Sequence, residues 1–105
     1  MITAIRTSRI EWNGIDLEIR YEPSWSPAMD SVYGCSVAHI EVQSVRPERA
    51  KLPVTQTGYR SHFVADAEVV EAGGAIAYVR AWLDHAAQDP AWKEAQDEAR
   101  QLSLL

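Results

Sequence analysis

Between Arg6 and Glu22 apolar and polar side chains alternate on either side of a central Asn-Gly. In "RIEWNGIDLEIRYEP", Asn13-Gly14 supplies the two positive-φ residues of a type I′ turn, so the flanking segments form a hairpin. Pairing outward from that turn sets Trp12 opposite Ile15, Ile10 opposite Leu17 and Ser8 opposite Ile19. One face then collects the apolar side chains. On the other face Arg9 meets Glu18, a favourable cross-strand pair, while Glu11 meets Asp16, a like-charge pair. Both faces require the same register.

Past the hairpin, "PSWSPAMDSVYG" has no period and reads as a long connection anchored by Trp25. Alternation returns in "CSVAHIEVQSV", a third strand with Ala38, Ile40 and Val42 on one face and Val37, His39 and Glu41 on the other. The stretch "RPERAKLPVTQTGYRSHF" holds two prolines that a central strand excludes. It predicts a loop that regains extended structure only from Tyr59 to Val64. After Gly73-Gly74 the spacing of Ile76, Val79, Leu83 and Ala86 changes to three and four, which predicts a helix over about residues 74 to 88. Asp89-Pro90 then supplies an N-cap and an N1 proline for a second helix, whose Trp92, Ala95, Ala99 and Leu102 form a narrow apolar stripe. The expected fold is α+β: a single domain in which a small antiparallel sheet, the hairpin plus one or two further strands, packs against a C-terminal helical pair.

Composition narrows the function. The 105 residues suit one domain of ordinary size. With Cys35 the only cysteine, neither an intrachain disulfide nor a paired-thiolate metal site can form, and a cytoplasmic location is expected. No apolar run approaches the ~18 residues of a membrane span. The net charge of −5 is uneven: residues 1–52 hold six Lys or Arg against seven Asp or Glu, residues 53–105 four against eight. Direct nucleic-acid binding is disfavoured for want of a basic run, and a basic protein partner is the easier fit.

Few residues carry chemistry. In "TGYRSHF", Tyr59, Arg60, Ser61 and His62 beside Phe63 bring together a guanidinium, a hydroxyl and an imidazole suited to an anionic ligand. The competing reading has Tyr59 and Phe63 plugging the core edge while Arg60 pairs with Glu68 or Glu71. His39, His62 and His85 lack metal-ligand spacing, so no metal or other cofactor is expected. Cys35, at the start of a strand without a flanking base, is expected to be buried, and no catalytic residue stands out. Trp12, Trp82 and Trp92 lie in periodic elements and are assigned to the core. Trp25 is either a lid on the core or an exposed anchor for a partner.

The tail "QLSLL" resembles the peptide by which many bacterial proteins dock onto the replication sliding clamp. The resemblance implies that Gln101 meets the polar edge of the clamp pocket, Leu102 a first apolar subsite, and Leu104 with Leu105 the deep one; Leu105 stands where phenylalanine is commoner. The alternative is that Leu102 completes the apolar stripe of the last helix. With "YEPSWSP", "LPVTQTGYRSHF" and "GGAIAYVRAWLDHAA", the whole chain also resembles a family of short accessory proteins encoded on plasmids and phages of proteobacteria. That resemblance implies a role in a mobile element's dealings with its host. The expectation is thus a non-enzymatic interaction protein that binds a host protein, either the sliding clamp or a defence complex. By class analogy an acidic surface can mimic nucleic acid, as in some small anti-CRISPR inhibitors. An uncovered sheet face and edge also invite a homodimer. The alternative is a small-ligand-binding or enzymatic domain centred on the "TGYRSHF" segment.

Overall fold

The computed structural model describes residues 5–103, with side chains to residue 102. Strands β1 (Arg6–Trp12), β2 (Ile15–Glu22), β3 (Val37–Arg46) and β4 (Tyr59–Ala65) form one antiparallel sheet in the order β1-β2-β3-β4. Helix α1 (Pro27–Tyr33) lies between β2 and β3. Helices α2 (Asp66–Glu71), α3 (Ala75–Ala86) and α4 (Pro90–Ser103) follow the sheet. The hairpin register is the one the alternation requires, from Trp12↔Ile15 through Arg9↔Glu18 to Arg6↔Tyr21.

One sheet face carries the core. Leu17, Ile19, Ile40 and Val42 are fully buried against Val69 of α2 and Val79 and Leu83 of α3, with Leu52 closing one side. Two bonds fasten α3 to β1: the Trp12 indole N–H donates to Asp84 Oδ1 at 2.8 Å, and Arg80 Nη1 donates to the Glu11 carbonyl at 3.2 Å. Among the described residues the opposite sheet face is left open by α2 and α3, while its Val37 is buried beside α1. That face displays Arg9, Glu18, Arg20, Glu41, Ser61 and Phe63, which the strand alternation turns away from the core.

Four local expectations meet the structure, and three of them are corrected. The supposed connection after β2 contains α1, with Ser26 as N-cap, Pro27 in the first turn and Gly34 at φ 70 as the left-handed C-cap. No residue of α1 is buried, so the helix needs no apolar stripe and leaves no period in the sequence. The extended structure expected from Tyr59 to Val64 is β4, one residue longer, so "TGYRSHF" is strand from Tyr59 onward, and both prolines, Pro47 and Pro53, fall in the β3–β4 connection as expected. Cys35 is exposed, because it stands between the α1 cap and β3 rather than inside the strand. The fourth concerns α4: within its expected stripe only Trp92 packs on the core, 6.3 Å from Trp12 between ring centroids. Ala95, Ala99 and Leu102 are exposed. The core face of the sheet is already filled by α2, α3 and Leu52, and the molecule is drawn out to 55 × 24 × 21 Å.

Candidate binding site

The sheet face left open by α2 and α3 ends, on the β3–β4 side, in an aromatic cluster. His39 stacks on Phe63 with centroids 4.5 Å apart and planes 20° from parallel. Trp25 meets Phe63 edge-on at 4.9 Å and His39 at 6.3 Å. Cross-strand pairing explains the first contact, since His39 and Phe63 are direct register partners. Trp25 comes from outside the strands and is held by its own chain: its N–H donates to the Val37 carbonyl at 2.9 Å. Asp30 secures that segment by accepting from Val37 N at 2.8 Å and from the Ser24 hydroxyl. These two bonds, the Ser24 one foremost, hold the Asp30 carboxyl below the usual carboxylate range. Trp25 and Phe63 remain 43% and 46% exposed, so Trp25 is no lid on the core and Phe63 does not plug its edge.

A polar relay runs beside the cluster. His39 Nε2 and Ser61 Oγ share a hydrogen bond of 2.7 Å, His39 Nδ1 lies 3.8 Å from Glu41 Oε1, and Glu41 Oε2 lies 3.6 Å from Arg20 Nη1. The order serine, imidazole, carboxylate is that of a nucleophile with its base. The imidazole-to-carboxylate distance is an ion-pair distance rather than a hydrogen bond, so Glu41 does not lock the ring as an orienting acid would.

Strand alternation divides the four residues singled out in "TGYRSHF". Tyr59 and Ser61 face the open side, whereas Arg60 and His62 face the helices. His62 Nε2 bonds the Tyr78 hydroxyl at 2.9 Å and its ring lies 4.5 Å from that of Trp82. Burial, then the nearby Arg60 charge, pushes the His62 pKa down. Arg60 lies with Cζ 5.9 Å from the Trp82 ring and donates to the Val54 carbonyl at 3.5 Å. Among the described residues it makes no ion pair with Glu68 or Glu71. The residue that the segment's composition could not reveal as Ser61's partner is His39, which only the β3–β4 register brings within reach. His85 is exposed on α3. At the C-terminus Gln101 and Leu102 are exposed on the last turn of α4, while Leu104 and Leu105 lie outside the described residues.

A four-stranded antiparallel meander with α2 and α3 on one face and an aromatic cluster at the end of the other defines an α+β domain. The family model described as KlcB third domain matches residues 5–92, and the chain belongs to that family, whose parent KlcB is plasmid-associated. The match ends at Trp92, so the remainder of α4 and the clamp-like tail lie beyond it. No curated protein and no solved structure matches the chain. Among the described residues no helix is long and apolar enough to cross a membrane.

Proposed function

We propose that the chain is a non-enzymatic interaction domain of a plasmid-associated protein, docking onto the host replication sliding clamp through Gln101, Leu102, Leu104 and Leu105. The observation that carries the reading is Leu102. It is 69% exposed on a helix end that adds nothing buried to the domain, so this leucine is available to a partner instead of completing the core. A last helical turn opens at little cost, which lets such a peptide adapt to a pocket. Trp25 offers a second anchor on the sheet face. Binding of intact protein and of protein truncated after Arg100 to purified bacterial sliding clamp tests the reading. Tail-dependent binding of about micromolar Kd or tighter supports it. Absence of binding by the intact protein sinks clamp docking and leaves the acidic helical surface, facing a host defence complex, as the remaining form of the proposal.

The His39–Ser61 hydrogen bond favours a second reading, a small-ligand or enzymatic centre on the open face. Here Ser61 Oγ would act as nucleophile and His39 Nε2 as its base. A fluorophosphonate probe followed by peptide mass analysis decides it: modification at Ser61 that disappears in His39→Ala supports the centre, and an unmodified Ser61 removes it.

A further inference from the structure

The helical side of the molecule holds a groove that neither the C-terminal tail nor the His39–Ser61 pair uses. Gly73 and Gly74, at φ 103 and 112, turn the chain sharply between α2 and α3, so the two helices diverge from a common vertex. Glu68, Glu71 and Ala72 form one wall, and Tyr78, Ala81 and Trp82 the other. Tyr78 and Trp82 are one turn apart on α3, their ring centroids 6.4 Å apart. Glu68 and Glu71 are likewise one turn apart, on α2. Both carboxylates are exposed, and neither makes an ion pair among the described residues. The Arg60 guanidinium lies beside the Trp82 ring and donates to the Val54 carbonyl. The Glu68 charge reaches across the groove: after burial, it is the second cause of the raised Tyr78 pKa.

Two uncommitted carboxylates opposite an indole and a phenol select for a cation that also has apolar length. A phosphate or another carboxylate is repelled, which excludes nucleic acid. A second copy of this chain would bring acid against acid, since the chain carries −5 overall. A hydrated divalent ion gains nothing from the aromatic wall. A lysine or arginine side chain satisfies both walls, its methylenes lying along Tyr78, Ala81 and Trp82 and its head group between Glu68 and Glu71. The four-residue rise from Tyr78 to Trp82 is about 6 Å, comparable to such a stem. We propose that the α2–α3 groove is a receptor for a lysine or arginine side chain presented by a basic polypeptide segment. This surface is independent of the C-terminal tail and of any clamp.

The experiment titrates intact ¹⁵N-labelled protein with hexa-arginine amide and, as control, hexaglutamate, following the four tryptophan indole N–H resonances. Trp82 is assigned through Trp82→Phe. Hexa-arginine is expected to shift the Trp82 indole and the amides of Glu68 to Ala72, leaving the Trp12 indole in place. Binding should weaken about tenfold or more between about 0.05 and about 0.5 M salt. Because both glutamates are exposed, Glu68→Gln with Glu71→Gln leaves the fold intact and should weaken binding about tenfold. Shifts centred on α4, shifts of equal size with hexaglutamate, or an unchanged affinity in the double variant each overturn the proposal. The shift map of the unsubstituted protein alone suffices to refute it.

Discussion

Asp84→Ala tests how the helical layer is fixed to the sheet. Trp12 is only 7% exposed and its indole N–H has Asp84 Oδ1 as partner at 2.8 Å, across 72 residues of sequence. Removing the carboxylate leaves a buried donor without an acceptor, and a hydrogen bond to a charged group contributes about 1.5 to 3 kcal/mol. Asp84 itself sits at the surface, where water partly replaces it, so the lower end applies: about 1.5 to 2 kcal/mol. For a domain of this size each kcal/mol moves Tm by about 4 to 8 °C, giving an expected loss of about 6 to 16 °C in thermal unfolding followed by circular dichroism. Asp84→Asn keeps a carbonyl acceptor and loses only the charge, so about half that drop is expected. Trp12→Phe in the Asp84→Ala background removes the orphaned donor, and the second substitution should then cost less than it does alone. A Tm loss under about 2 °C for Asp84→Ala, or additivity in the cycle, would refute the assignment of this bond as the tie between α3 and β1.

Four further outcomes follow from particular residues. Gly58→Ala is expected to lower Tm by about 5 °C or more, whereas Gly14→Ala should cost less. Gly58 sits at φ 80 with a prospective Cβ 2.7 Å from Arg49 Cα, while Gly14, at φ 81, has open space; equal losses in thermal melts would contradict this. Leu102→Ala should leave Tm within about 2 °C of the parent, since the side chain is 69% exposed; a loss above about 5 °C would place it in the core after all. Burial, then Arg60, depresses the folded-state pKa of His62 below its ordinary value, so the unfolded chain takes up that proton more readily. Its contribution to stability is therefore present above about pH 6.5 and lost as pH falls through the folded-state pKa. Urea midpoints between about pH 7.5 and about pH 5 should fall less in His62→Gln than in the parent. Exposed Cys35 should react with Ellman's reagent in the native protein as fast as in urea, and protection in the native state would return it to a buried site.

Local periodicity determined the elements whose faces are half-buried. Alternation about Asn13-Gly14 dictated every β1–β2 pair, and the same rule sorted Ala38, Ile40 and Val42 from His39 and Glu41. Spacings of three and four located α3, and Asp89-Pro90 located the start of α4, where Asp89 Oδ1 accepts from Ala91 N at 2.9 Å. Helix α1 left no periodic signal because seven residues are too few to express a helical period and it buries nothing. The candidate site was half-legible. Trp25 and "TGYRSHF" stood out by composition, but placing Phe63 and Ser61 against His39 required the β3–β4 register, which joins residues 22 or more positions apart. The α4 stripe failed for a different reason. A sequence shows that a helix has an apolar side, yet whether that side is buried depends on how much sheet remains, and α2, α3 and Leu52 had already filled it. Backbone geometry acts between neighbours and is written locally, whereas burial is a competition for one finite surface and is resolved only in the assembled fold.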